Sequence, residues 1–388
     1  MKSLKTQLEE RKKIHLYRSR RISESPQQTE MIIDGRKVIS FCSNDYLGLA
    51  NHSGVKKAFI KGIEQYGVGS GAAHLINGHT KAHHELEDAL AEFTGYPRAL
   101  LFSTGYMANL GVAQSLVGRG DSIFEDRLNH ASLIDGGLLS GARLIRYAHN
   151  DTNQLDEKLS SRESGEKLVM SDAVFSMDGD IAETKGLAKI CQRHDAWLML
   201  DDAHGFGVLG EHGKGILEHT RTPPDDVPIY MATLGKAAGT AGAFIAGNDA
   251  LIETLIQQAK TYVYTTAQPP ATAVATMESL RLIKDEPHHR NNLRSNIAYF
   301  QQYAEESGLK MSGSETAIQP IIIGDVEKTI QLSEDLLDAG LLVTAIRPPT
   351  VPKGTARLRI TLSATHTKAQ IERLIENITR LTAASQTR

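Results

Sequence analysis

The chain has 388 residues, with 43 Lys and Arg against 46 Asp and Glu, a formal net charge of -3 and 40% hydrophobic residues. This length exceeds one small core and implies a large domain plus a smaller one, and the near-balanced charge argues against an electrostatic nucleic-acid binder. No apolar run is long enough to cross a bilayer and the polar N-terminus lacks a signal-peptide core, so a soluble, cytosolic protein that needs no membrane is expected.

In chain order, residues 3–21 read as a charged helix with Leu4, Leu8 and Ile14 on one face, expected to pack on the main body. From about residue 44 to 270 strand-like runs alternate with helical patterns, the signature of a mainly parallel α/β sheet. Beyond residue 271, helices followed by IQPIIIG, RLRITL and a further helix predict a small α+β domain. The expected division is a helical segment over 1–43, a large α/β domain over 44–275 and a small domain over 276–388. In HTKAHHELE, His79, His83 and His84 have the spacing of helical metal ligands. An exposed polar face beside Glu85 and Glu87 is the preferred reading, because no further ligand is suggested; no metal is expected. GVGSG at 67–71 is glycine-rich but does not open a dinucleotide-binding turn. Cys42 and Cys191 stand far apart without metal-ligand company and read as reduced core thiols.

Three fragments carry chemistry: Gly105 and Tyr106 in LFSTGYMAN, Asp201 and His204 in LMLDDAHGFG, and Thr233 and Lys236 in ATLGKAAG. The runs 99–102 and 196–200 are apolar throughout, as in parallel strands buried on both faces, so Asp201 emerges where such a strand ends. Ligands of open α/β sheets bind at that edge. Gly105 turns the chain into a helix whose free amides attract a phosphate dianion, with a hydroxyl such as Thr233 completing the cup. A carboxylate, an imidazole, an amine and a phosphate cradle are the groups that hold and use pyridoxal 5'-phosphate. Lys236 would bind it covalently, Asp201 would keep its ring nitrogen protonated, and His204 would reach its phenolic oxygen.

Further segments fit in the same order: SNDYLGLA (43–50), GVGSGAAHLINGH (67–79), DRLNHASLIDG (126–136), FSMDGDIA (175–182) and TVPKGTARLRITLSATHT (350–367). With the three fragments they resemble fold-type I pyridoxal-phosphate enzymes and, within them, the α-oxoamine synthase family, which condenses an amino acid with an acyl thioester and loses CO2. The resemblance spans about residues 44–367 and implies a mainly parallel sheet of seven-stranded type in the large domain, beside a smaller α+β domain. It implies that His130 stacks on the cofactor ring, that Ser176 lies near the phenolic oxygen, that Asn44 lines the substrate side and that Arg347 clamps the amino-acid carboxylate. RPPTVP, SGAAHLINGH and YTTAQPPATA resemble the member that joins L-alanine to a pimeloyl thioester, on coenzyme A or an acyl carrier protein, on the route to biotin. Arg18 and Thr350 then align with substrate contacts. A homodimer with shared active sites is implied, Thr265 and Thr266 reaching the phosphate of the other subunit. Ala243 stands where many members carry glycine, changing the packing beside the cofactor. The alternatives are a glycine-using relative that makes 2-amino-3-oxobutyrate, a non-catalytic partner subunit, disfavoured because Lys236, Asp201 and His204 are all present, and a dehydrogenase, which would need a glycine fingerprint the chain lacks.

Overall fold

The computed structural model describes residues 3–162 and 164–386. Its central element is a seven-stranded sheet in the order Arg98–Phe102, Ala243–Gly247, Ile229–Thr233, Trp197–Asp201, Lys167–Asp172, Ser122–Asp126 and Arg143–Tyr147. Ala243–Gly247 runs antiparallel to both neighbours, and the pairs from Ile229–Thr233 onward are parallel. Alternate residues of these strands enter two different cores: Leu101, Phe124, Val169, Leu198 and Leu200 on one face, Leu100, Ile123, Leu168, Met170 and Met199 on the other. The continuous apolar runs are therefore two interleaved period-2 patterns, as a sheet covered on both faces requires.

The chain passes from Ser122–Asp126 outward to Arg143–Tyr147, then returns to Lys167–Asp172 on the other side of Ser122–Asp126. That reversal opens a crevice at the carboxyl ends of the strands, the place where open α/β sheets take ligands. A three-stranded antiparallel sheet, with Ala356–Thr361 between Ile318–Gly324 and Thr344–Ile346, stands at the same site, since its central strand supplies Arg359. Another three-stranded sheet joins Glu30–Ile33, Arg36–Ser40 and Leu341–Leu342.

The N-terminal helix departs from expectation. It spans Leu4–Lys13, is capped by the Ser3 hydroxyl accepting from Thr6 N, and buries none of its residues. Leu4 is 74% and Ile14 60% exposed, so the expected apolar face has nothing to cover it in the described chain. Three basic residues in its last turn, Arg11, Lys12 and Lys13, complement the helix dipole instead. Cys191 is buried, which pushes its thiol up to about 12, whereas Cys42 is only partly buried.

Candidate active site

Three of the parallel strands that end at the crevice end on an acid. Asp126, Asp172 and Asp201 close their strands and are buried, and Asp172 and Asp201 are register partners. Burying carboxylates side by side is costly unless each is paired or protonated. Asp201 Oδ2 accepts from Asn109 Nδ2 at 2.8 Å and Oδ1 from Ala203 N at 3.0 Å. Asp172 accepts from His130 N at 2.7 Å, and burial together with the charge of Asp201 holds its carboxyl well above the usual range. Asp202 points the other way, to Ile216 N and the Tyr230 hydroxyl, and burial raises it to about 7.

Lys236 follows the strand Ile229–Thr233 and brings its Nζ to 3.0 Å from His204 Nε2. His204 Nδ1 is 2.6 Å from the Tyr46 hydroxyl, which donates to Asn44 Oδ1 at 3.2 Å, and Arg359 Nη2 donates to the same oxygen at 3.3 Å. Burial lowers Lys236 to about 8, the carboxylates of Asp201 and Asp172 opposing it. Burial, then the charges of Lys236 and Arg359, keep His204 neutral by holding it well below its ordinary value. A neutral His204 accepts from the Lys236 ammonium at Nε2 and donates from Nδ1, so the network has one consistent direction. Arg359 also donates from Nε to the Ser176 carbonyl at 2.6 Å. It is 7% exposed, its two hydrogen-bonding partners are neutral, and it makes no ion pair among the described residues.

The helix Gly105–Leu116 starts at the end of the strand Arg98–Phe102, its first turn capped by the Thr104 hydroxyl accepting from Met107 N at 3.2 Å. A Cβ on Gly105 would stand 2.8 Å from both Met231 Cε and Thr233 Cγ2, so glycine alone allows this helix start to approach Thr233. Thr233 Oγ1 and Asn109 Oδ1 are buried without a hydrogen-bond partner. Opposite them His130 caps the helix Ala131–Ser140, exposed on the open side of the crevice, its Nδ1 2.7 Å from Ser132 Oγ. Partial burial lowers its pKa, with the charge of Asp201 opposing this. Asn109 Nδ2 also donates to Ser132 Oγ at 2.8 Å, which links Asp201 to His130 through two side chains. An amine, a buried carboxylate, an orphaned hydroxyl and a helix start in one crevice fit pyridoxal 5'-phosphate.

Of the residues singled out in the sequence, Lys236, His204, Asp201, His130, Thr233, Gly105, Asn44 and Ser176 therefore meet around this crevice. Tyr106 contributes its backbone to the helix start, but its ring is 41% exposed and its hydroxyl donates to Asp135. Arg347 departs from expectation. Its Nε and Nη2 donate to the carbonyls of His15 and Tyr17, so its fork is spent on the N-terminal segment. Thr350 N donates to the Arg347 carbonyl at 3.1 Å and Arg18 follows Tyr17, which gathers those three residues beside the N-terminal segment, Arg347 half-buried and Arg18 and Thr350 exposed. Thr265 is partly buried and Thr266 exposed, the latter in a bridge with Ala73. Sequence reasoning misses Arg359, Tyr46, Asn109, Ser132 and Asp172. Tyr46 lies inside SNDYLGLA and Arg359 inside RLRITL, so both stand in segments that the resemblance already marks, and that position is the one signal that points to them.

The histidine segment is also corrected. His83 is wholly buried, accepting from Thr80 N at Nδ1 (3.1 Å) and lying 2.9 Å from the Gln268 carbonyl at Nε2, while Glu87 is 9% exposed and accepts from Leu101 N at 2.9 Å. The helix Lys81–Thr94 turns His83 and Glu87 toward the helix Pro270–Asp285 and the sheet, so these two belong to the core, while His84 and Glu85 are exposed as expected. His74 Nδ1 and His79 Nδ1 are 2.9 Å apart.

Residues 36–378 match the family of class I and II aminotransferases. An 8-amino-7-oxononanoate synthase of Thioalkalivibrio sulfidiphilus is 59% identical over 387 residues, covering 100% of this chain and 99% of the relative. Among solved structures, the serine palmitoyltransferase of Sphingomonas wittichii superposes with a TM-score of 0.93 at 32% identity, covering 98% of both chains. The 8-amino-7-oxononanoate synthase of Francisella tularensis superposes with a TM-score of 0.79 at 33% identity, over 90% of this chain and 99% of that one.

Proposed function

The chain belongs to the class I and II aminotransferase family and, within it, to the 8-amino-7-oxononanoate synthases, and from that premise we propose how its residues divide the work. The enzyme is a pyridoxal-phosphate-dependent acyltransferase that condenses L-alanine with a pimeloyl thioester, releasing CO2 and the free thiol carrier, to give 8-amino-7-oxononanoate for biotin synthesis. When bound, pyridoxal 5'-phosphate supplies an electron sink that stabilises negative charge at the alanine Cα.

Asp201 holds a proton at the ring nitrogen, its own orientation set by Asn109 and Ala203 N. Thr233 Oγ1 and the amides at Gly105 and Tyr106 receive the phosphate. Lys236 anchors the cofactor through its amine and, once freed, takes the Cα proton; a pKa of about 8 leaves it partly unprotonated near neutrality. His204, neutral and 3.0 Å away, accepts from the lysine ammonium and orients it. Arg359 replaces Arg347 as the clamp for the amino-acid carboxylate, because its guanidinium is buried beside Asn44 with uncharged partners, whereas Arg347 is already engaged. Ser176 and Asn44 border that same guanidinium. His130, on the open side, donates to the thioester carbonyl as negative charge develops there. Arg18 and Thr350 flank the route of the acyl chain.

We also propose a homodimer. Leu75 and Ile76 on one side of the Ala73–Thr266 bridge and Tyr264 on the other are 48%, 78% and 82% exposed, and a second copy would cover them and bring Thr265 and Thr266 to its phosphate. Light scattering of the purified protein would return the mass of a single chain if this is wrong.

The observation that carries the assignment of roles is the contact of Lys236 with a neutral buried His204 above the carboxyl-terminal strand ends. The test is a panel of pimeloyl, acetyl and succinyl thioesters offered with L-alanine or glycine, following thiol release. Turnover with L-alanine and the pimeloyl thioester is expected. A preference for glycine with the acetyl thioester would favour the 2-amino-3-oxobutyrate reaction and overturn the substrate reading. No helix among the described residues is long and apolar enough to cross a membrane.

A further inference from the structure

The imidazole of His149 lies between two carboxylates that belong to different arms of the crevice. Its Nδ1 is 3.0 and 3.2 Å from the two oxygens of Asp126, and its Nε2 is 2.8 Å from Asp180 Oδ2. Asp126 is fully buried and also accepts from Leu128 N at 2.8 Å and Asn150 N at 2.7 Å, so it shapes the turn that delivers Asn129 and His130. Asp180 closes the turn that starts at Phe175 and Ser176: Phe175 N donates to its carbonyl at 3.0 Å. The imidazole ring also stands edge-on to Phe175, 4.4 Å between centroids. Ionised carboxylates only accept, so an imidazole between two of them is satisfied at both nitrogens only when doubly protonated. Burial alone would lower His149, but the hydrogen bonds and charges of Asp126 and Asp180 carry it up to about 10.

Asn150 makes a second, uncharged link, its N donating to Asp126 Oδ2 at 2.7 Å and its Nδ2 to Asp180 Oδ2 at 3.0 Å. Beyond these links the two arms rest mainly on different parts of the molecule. The turn 175–180 is docked on the small sheet, where Arg359 Nε donates to the Ser176 carbonyl, Arg357 pairs with Asp178, and the Ser314 and Thr316 hydroxyls donate to the Gly179 carbonyl at 2.9 and 3.0 Å. The arm 126–130 is docked on the large sheet through Asp172 and Met170. We propose that His149 is a positioning residue of the reaction: as a charged tie between Asp126 and Asp180 it sets His130 relative to Ser176, and with them the two sides between which cofactor and thioester are held. The inference rests on the proposed roles of these two residues. Without His149, Asp126 keeps its two backbone donors and Asn150 still reaches Asp180, so loss of the charged tie loosens one arm against the other while the local turn persists.

The test uses the holoenzyme and two variants. His149→Phe fills the ring volume and keeps the packing on Phe175 but donates to neither carboxylate. It is expected to lower kcat on the order of 10²-fold, the cost of misplacing a reacting group by about 1 Å. The KM for L-alanine should stay within about threefold, since Arg359 is untouched. The visible circular dichroism of the bound cofactor should change with it, which a purely structural role would not produce in the folded fraction. Asp180→Asn keeps an acceptor oxygen and removes one charge, so a smaller fall in kcat and a dichroism change in the same direction are expected. Nitrogen NMR of the wild type should show the His149 ring doubly protonated at about pH 8, well above the ordinary value of about 6.5. A neutral ring at that pH overturns the tie. So does a pair of variants whose folded fraction turns over and absorbs polarised light as the wild type does. A wild-type protein that binds no cofactor would instead sink the functional reading, and the NMR result would still decide the tie.

Discussion

Two buried clusters of ionisable side chains invite comparison: the crevice around Lys236, His204, Asp172 and Asp201, and the group His74, His79, His83 and Glu87 on the other part of the large sheet's surroundings. Both hold groups displaced from their ordinary titration. Burial lowers His74 to about 3 and raises Glu87 to about 8, much as it shifts Lys236 and His204. The difference lies in what is left unpaired. His83 is hydrogen-bonded at both nitrogens and Glu87 secures Leu101 N, whereas the crevice keeps an unpartnered Thr233 hydroxyl and an arginine with neutral partners. Displaced titration alone thus marks burial, as it does at Glu125; displaced titration that shares one crevice with a lysine amine, an unpartnered hydroxyl and a helix start marks a place built to receive something.

The largest effect that would test this contrast is at Lys236. Lys236→Ala should remove covalent cofactor attachment, read as loss of borohydride-reducible absorbance, and cut turnover by roughly 10²-fold to 10⁴-fold or more, the range for a lost general base. Retained attachment would contradict the assignment. Next come the two arginines. Arg359→Met should raise the KM for L-alanine by about 10-fold to 100-fold, the worth of a charge-assisted hydrogen-bond pair. Arg347→Met should change that KM by no more than about threefold, since its fork holds backbone carbonyls. Equal effects in the two variants would return the carboxylate clamp to Arg347.

A pH series gives an intermediate effect. The lysine amine must be neutral to attack the cofactor, and burial lowers it from 10.5 to about 8, so the rate of cofactor attachment to the apoprotein should rise with pH and level off above about 8. A midpoint near the ordinary lysine value would show that burial does not lower it. The smallest effects on turnover belong to the other cluster. His83→Ala should cost about 1–3 kcal/mol of stability by leaving buried groups unpaired, with kcat unchanged in the folded protein. Glu87→Gln should be almost silent at neutral pH, because a carboxyl raised to about 8 is already largely uncharged there. A large loss of activity from either would erase the distinction drawn between the clusters.

The legibility of the site in the sequence follows the same line. Asp201, Thr233 and Gly105 can be placed because each ends an apolar run, and a strand that is apolar on both faces must surface at its carboxyl end. Arg359 cannot, because charged residues alternating in RLRITL suggest a solvent-facing stripe. In the fold Ala356–Thr361 is the central strand of its sheet, and Arg357 and Arg359 are 3% and 7% exposed against the turn 175–180. His83 and Glu87 are misjudged for the corresponding reason, since a polar helix face looks the same in sequence whether water or a helix covers it.

By itself the sequence determined the α/β class, the cofactor chemistry and the residues tied to strand ends, because period, turn chemistry and local order are properties of contiguous residues, and it determined the family through the resemblance of its motifs in order. Tertiary structure alone decided which arginine stands beside Lys236, that Asn109 and Ser132 join Asp201 to His130, and that His149 bridges two arms. Those contacts join residues far apart in the chain, and their energies depend on burial and on the charges that other segments bring.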